Sequence, residues 1–300
     1  APPGQEWAKI KILEDGSAAL FAGSTDQGQG HATMYTQIIC ERLGLSPDQV
    51  HIVEGDTGTL DAGGGAGGSK VSGLGGSAVF ETARQILEKG TEIAAQQLEA
   101  AVADITYADQ TFTVVGTDRK IMLADVSKAA EALDNDGLLI VGTHVTKAPT
   151  FPSGCHVCEL EVDPDTGKVE IKRYIAVTDV GNAINPTQVD GQVRGGIVQA
   201  LGQVLSENIT YDENSGQLLS GSYMDYAMPK AKDMCAIETY DNPSTTDVNP
   251  LGVKGAGEIG TGCAVATFVN ALVDALSPLG IHHIDTPATA ETIWQAIRKA

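Results

Sequence analysis

The chain has 300 residues, 42% of them hydrophobic, with 39 Asp and Glu against 19 Lys and Arg and a formal net charge of −20. That length supports a large core without disulfides. The charge argues against nucleic acid or an anionic membrane as a partner, because phosphate contacts need clustered cations.

In chain order, residues 7–22, "WAKIKILEDGSAALFA", read as two alternating runs around Asp15-Gly16 and predict a hairpin. Tyr35, Ile38, Ile39 and Leu43 predict a helix over 31–44, and Val79, Ala83, Ile86, Leu87, Ile93, Ala94 and Leu98 another over 77–98. Two prolines in "VTKAPTFPSG" mark a weak boundary near 145–154, so the expectation is one domain over 1–300 with room for two lobes, 1–148 and 149–300. Further hairpins are expected with turns at 163–167 and 212–216. A helix over 189–205 carries Gly195, Gly196 and Gly202 inside it. Each interior glycine costs about 1 kcal/mol relative to Ala, which suggests close backbone approach to another helix or to a ligand. A last long helix covers about 262–276. Strand pairs and helices alternate without a regular strand–helix rhythm, so the expected class is α+β, hairpin-rich sheets packed with amphipathic helices.

The five cysteines, Cys40, Cys155, Cys158, Cys235 and Cys263, are odd in number and scattered, which suits a reducing compartment. Cys155 and Cys158 have no second pair and read as two small buried side chains. No C-x4-C-x2-C run provides an iron–sulfur cluster of the chain's own. "APPGQEW" lacks the parts of a signal peptide, and Asn270 and Asp274 interrupt the longest weakly polar stretch. The expectation is a cytoplasmic chain that engages no membrane.

Four segments are unusually rich in glycine: "GSTDQGQGH" (23–31), "DAGGGAGGSKVSGLGGSA" (61–78), "DGQVRGGIVQALGQ" (190–203) and "NPLGVKGAGEIGTG" (249–262). Ordering that many glycines is entropically expensive and suits places where backbone must pass close to something. A helix start offers free N–H groups to an anion. Gln27, Gln29, Gln192, Gln199 and Gln203 add neutral donors and acceptors that suit a large polar heterocycle. Commoner nucleotide motifs fail: Ser69 precedes Lys70, the reverse of a P-loop, and "GLGGSA" lacks a βαβ context. No G-x-S-x-G occurs for a hydrolase. Asp56 and Asp61 read as turn formers, and His31, at a helix start, as a cap or a packed side chain.

Taken together with "EDGSAAL", "EGDT" and "VDPDTGKVEI...DVGNAINP", these segments resemble, nearly end to end, the C-terminal molybdopterin-binding domain of the molybdenum hydroxylases, the xanthine dehydrogenase and aldehyde oxidoreductase family. The resemblance implies molybdenum held by the dithiolene of a pyranopterin, with a cytosine dinucleotide form, and no metal ligand from the chain itself. Glu258 matches the family's catalytic carboxylate, a general base that takes the proton from the attacking hydroxyl. Gln29, with Gly28 and Gly30, matches the G-Q-G segment that bonds the pterin, and Gln27 stands beside it. Gly68 matches the residue whose backbone lies next to the metal, with Gly67 before it in the cofactor-binding loop. Ser69, Lys70 and Val71 fall where the family lines the pyranopterin and its phosphate. Gln192 falls where a second glutamine contacts the pterin, with Gln199 two helical turns on, and Lys254 and Gly257 flank the base.

The family's glycine–phenylalanine loop and arginine loop do not occur here. The resemblance therefore implies a complementary molybdopterin half, a separate subunit or the rest of a longer chain of which this is one domain, with an iron–sulfur subunit and a flavin (FAD) subunit, acting together on a small-molecule substrate, an N-heteroaromatic compound or an aldehyde. A reading of a different class is a non-catalytic assembly module that has lost the cofactor.

Overall fold

Strict alternation builds the first element. In β1 (Gly4–Ile12), Glu6, Ala8, Ile10 and Ile12 face inward and are buried. The Asp15-Gly16 turn returns the chain antiparallel into β2 (Ala18–Ala22), with Ile10 opposite Leu20, as the hairpin signal predicts. The computed structural model describes residues 1–134 and 136–300. It divides into two units, the first made of 1–151, 181–185 and 245–255, the second of 152–180, 186–244 and 256–300.

In the first unit α1 (His31–Leu43) is followed by β3 (Val50–Val53), which lies parallel to β2. A π-type turn over Val71–Gly75 leads directly into α2 (Gly76–Gln97). Strands β4 (Ile105–Ala108), β5 (Thr111–Val114) and β6 (Lys120–Met122) form a small antiparallel sheet. Helix α3 (Leu123–Leu133) and strand β7 (Leu139–Thr146) complete the unit, β7 pairing along β1. The larger sheet has the order β3-β2-β1-β7. Its apolar residues join Tyr35, Ile39, Leu43, Val79, Ala83, Ile86 and Leu123 in one core. At about 25 cal/mol per Å² of apolar surface removed from water, this cluster supplies the unit's main drive to fold. Gly90 on α2 is required by that packing: a Cβ there would come within 2.8 Å of Phe112 Cζ.

In the second unit β8 (Ser153–Val162) and β9 (Val169–Asp179) form the hairpin predicted around 163–167. Asp163 accepts the Asp165 N–H at 2.9 Å inside that turn. Helix α4 (Pro186–Leu205) follows, and β10 (Ile237–Asp241) adds parallel to β9. Helix α5 (Ile259–Leu276) and helix α6 (Ala290–Lys299) end the chain. Ala264, Phe268, Leu272 and Leu276 recur every fourth residue on α5 and are its buried stripe. By length and composition the span Ile259–Leu279 is apolar enough to cross a membrane, Asn270 and Asp274 notwithstanding.

Two expectations change. The segment around 212–216 closes its turn, with Gly216 N–H bonded to Asp212 O at 2.9 Å, but beyond it there is only the bridge between Tyr211 and Leu218. Its flanks leave Ile209, Tyr211 and Leu219 exposed, so neither run has a sheet to join. Cys155 is exposed and Cys158 half-buried, where two buried side chains were expected. On a strand, side chains three apart point to opposite faces, so one sheet face cannot cover both. Burial, together with neighbouring Cys235 and Glu159, pushes the Cys158 thiol up to about 12.

Candidate cofactor-binding site

In the first unit three of the glycine segments converge. The Gly64 N–H bonds to Gly23 O at 3.0 Å, joining the 23–31 loop to the 61–70 loop. A Cβ on Gly63 would come within 2.9 Å of Gly23 O, so this crossing needs glycine. The 249–255 loop meets the second of these: a Cβ on Gly255 would come within 2.6 Å of Ser69 Cβ. Buried Asn249 shapes that third loop, its amide donating to Val253 O at 2.8 Å and accepting the Val253 N–H at 3.2 Å. The Asn182 N–H bonds to Gly252 O at 2.9 Å and braces it from outside.

In the 27–30 segment Gln27 and Gly28 are exposed and Gln29 and Gly30 half-buried. Gly28 has φ 115° and Gly30 φ 80°, the left-handed region that glycine enters at little steric cost. Gln29 is folded onto its own loop, donating to Gln27 Oε1 at 3.1 Å and accepting the Gln27 N–H at 2.5 Å. An amide nitrogen carries two hydrogens and a carbonyl oxygen two lone pairs, so both glutamines keep capacity for a ligand. Space is open where side chains would stand at Gly28, Gly65 and Gly67. Gly68 and Ser69 both have positive φ, 67° and 51°. Val71 is buried at the start of the π-type turn, which makes it part of the loop's footing.

Lys70 is engaged within its own unit. Its Nζ lies 3.4 Å from Glu6 Oε2 and donates to Gly64 O at 3.1 Å, tying the glycine loop to β1. Asp56 makes a turn by accepting the Gly58 N–H at 2.9 Å, and Asp61 pairs with Lys9 at 3.0 Å. His31 is buried, its Nδ1 3.2 Å from Glu54 Oε1. Ser24 Oγ donates to the same Glu54 oxygen and lies 2.8 Å from Tyr35 Oη. Asp26, Glu54 and Glu6 were absent from the sequence reading. Asp26 had a weak local signal, an Asp two residues before a glycine, which suits an Asx turn. Glu54 and Glu6 had none, since their partners lie far along the chain.

In the second unit Glu258 is the exposed N-cap residue of α5, with φ −114° and ψ 1°. Its side chain makes no capping bond to its own helix, and Gly257 before it is also exposed. Two glycines hold this helix start: a Cβ on Gly196 of α4 would come within 2.7 Å of Thr261 N, and one on Gly260 would meet Val193 backbone. Thr261 Oγ1 lies 3.1 Å from Gly196 O and 3.2 Å from Gln199 Oε1, so Gln199 is tied to the turn that carries Glu258. Gln192, half-buried, sits one turn before Gly196 on the same helix. Arg194 grips Asp190 at 2.7 Å and Ile237 O at 2.5 Å. The Arg194 bond, against the cost of burial, holds the Asp190 carboxyl below the usual carboxylate range.

The loops of the first unit offer neutral amides and open backbone, which suit a ligand with many neutral heteroatom edges. Among the described residues no group of three or more His, Cys, Asp and Glu could hold a metal ion. The buried Trp7 Nε1, beside Gly23, has no hydrogen-bond partner.

The model of the molybdopterin cofactor-binding domain family matches residues 1–235. The chain belongs to that family. The carbon monoxide dehydrogenase large chain of Hydrogenophaga pseudoflava is 33% identical over 97% of this chain and 37% of its own length. The nicotine 6-hydroxylase large subunit of Paenarthrobacter nicotinovorans is 34% identical over 97% and 36%. Among solved structures, quinoline 2-oxidoreductase from Pseudomonas putida 86 superposes with a TM-score of 0.87 at 31% identity, over 98% of this chain and 38% of that one. The α+β fold is therefore that of the molybdopterin-binding domain of the molybdenum hydroxylases, and the chain spans a little over a third of the length of these relatives.

Proposed function

We propose that the chain holds molybdopterin with its molybdenum and supplies the general base, Glu258, of an oxidoreductase that hydroxylates an N-heteroaromatic or aldehyde carbon with oxygen from water. When bound, the cofactor supplies a Lewis acid and a two-electron acceptor. The chain's own contribution is placement. Gln27, Gln29, Gln192 and Gln199 present amides for the pterin edges, and Gly28, Gly30, Gly67, Gly68 and Ser69 let backbone approach. Lys254 and Gly257 flank the acid that takes the proton.

One observation carries this reading. Glu258 stands at the N-cap of α5 and does not cap it, on a helix start fixed by glycine-to-backbone packing with α4. The helix dipole favours a carboxylate at this position, and the packing fixes where it stands. A positioned base typically contributes about 10²–10⁴-fold in rate. The cytosine dinucleotide form is the one we infer.

The relatives are named as a large chain and as a large subunit, and this chain matches a little over a third of each. We infer that it works in the cytoplasm with a complementary molybdopterin segment, in the same polypeptide or another, and with iron–sulfur and flavin subunits that carry the electrons away. Glu258→Gln in the assembled enzyme should leave molybdenum and pterin content unchanged while turnover falls by about 10²-fold or more. Unchanged turnover rejects the base. An active assembly without molybdenum would instead make the chain an assembly module.

A further inference from the structure

A single carboxylate organises the 27–30 loop. Asp26 Oδ1 accepts the Gly28 N–H at 2.8 Å and the Gly30 N–H at 3.2 Å, while Oδ2 accepts the His31 N–H at 2.9 Å. Burial works against the ionised form, but the N–H groups of Gly28 and Gly30 and the proximity of His31 outweigh it and hold this carboxyl below its ordinary value. One residue thus satisfies donors that a helix start would otherwise offer to an anion. Its charge also disfavours a phosphate at this spot. Beside these spent N–H groups stand the neutral amides of Gln27 and Gln29.

Beneath the loop lies a second, buried tier. His31 is 5% and Ser24 1% exposed, Tyr35 is fully enclosed, and the Glu54 side chain is 9% exposed. Glu54 receives both His31 and Ser24, and Ser24 reaches Tyr35, so one carboxylate links the segment after β3, the segment after β2, and α1. Such a network has few alternative arrangements, because any break strands a polar group away from water. The loop is therefore anchored at His31 and braced from Asp26.

We propose that Asp26 is a positioning and specificity residue: it spends the N–H groups of Gly28, Gly30 and His31 on itself, so that the Gln27–Gly30 loop meets the neutral heterocyclic edge of its ligand and turns phosphate away. This rests on the reading of the loop as pterin-binding. Preorganised groups bind tightly because the ordering cost is met before the ligand arrives. Loss of such an outer support typically weakens binding about 10–100-fold.

The test uses the assembled enzyme and the rate at which molybdenum and pterin leave it, followed below its melting temperature. Asp26→Ala should speed release about tenfold or more, and Asp26→Asn, which keeps one acceptor oxygen, should fall between it and the parent. Ser127→Ala serves as a control, since it removes a buried 2.8 Å bond from Ser127 of α3 to Ile12 O of β1, away from the loop. Release from Asp26→Ala at the parental rate overturns the proposal. So does equally fast release from Ser127→Ala at a matched drop in melting temperature, which would make the effect one of general stability. A parent enzyme that is active yet holds no pterin defeats the underlying reading, an outcome distinct from either.

Discussion

Glu6 and Lys70 show how one ion pair can decide where a glycine-rich loop goes. Glu6 lies on the inward face of β1, its side chain 7% exposed, and Lys70 answers it from the far end of the 61–70 loop with 17% of its side chain exposed. A buried pair contributes little net stability compared with an apolar substitute, but breaking one side is expensive because the other charge stays behind. Lys70→Met should therefore destabilise the protein by about 3 kcal/mol in urea denaturation, and the double variant Glu6→Gln with Lys70→Met should recover part of that loss. If Lys70→Met leaves the denaturation midpoint in place and only cofactor content drops, the lysine belongs to the ligand and its bond to Glu6 is incidental.

At the scale of elements, the start of α5 depends on two neighbouring glycines of α4 that have opposite roles. Gly196 faces backbone of the α5 start within 2.7 Å of a would-be Cβ, whereas nothing lies within 4 Å at Gly195. Gly196→Ala should destabilise by about 1–3 kcal/mol through overpacking, and should lower turnover further because it shifts the turn that carries Glu258. Gly195→Ala should stabilise by about 0.5–1 kcal/mol through helix propensity alone. Equal effects in thermal melts would show that the close approach is not what retains Gly196. The same contrast marks what could be read in advance. Asp15-Gly16, the 163–167 turn and the helical spacing of the apolar residues are local signals, and those elements lie where the sequence places them. The parallel pairings of β3 with β2 and β10 with β9 join distant segments and left no local pattern. In the site the glycines and glutamines were legible by composition. The carboxylates Glu6 and Glu54 were not, because their partners are remote in sequence, and Asp26 offered only a short Asx-turn pattern toward Gly28.

For the whole molecule, acid stability is a contest between two histidines and the net charge of −20. His144 on β7 is held below its usual value by burial, with Glu81 opposing, and His156 on β8 by burial alone. Each also has a buried Nε2 with no hydrogen-bond partner, and His156 Nδ1 lies 3.0 Å from Tyr174 Oη. A group whose folded pKa is depressed binds fewer protons folded than unfolded just below the unfolded value of about 6.5, so stability is full above that value and is lost as pH falls through the folded one. The acidic surface pulls the other way, since protonating carboxylates relieves self-repulsion as the chain nears its pI of about 4.5. In about 1 M salt the Debye length shrinks to about 3 Å and the repulsion is largely screened. Under those conditions the melting temperature should fall between about pH 7.5 and about pH 5.5, and replacing His144 and His156 together by Asn should flatten that fall. At low salt the decline should be shallower, because relief of repulsion offsets part of it. A decline of undiminished slope in the double variant would assign the acid sensitivity to groups other than these two histidines.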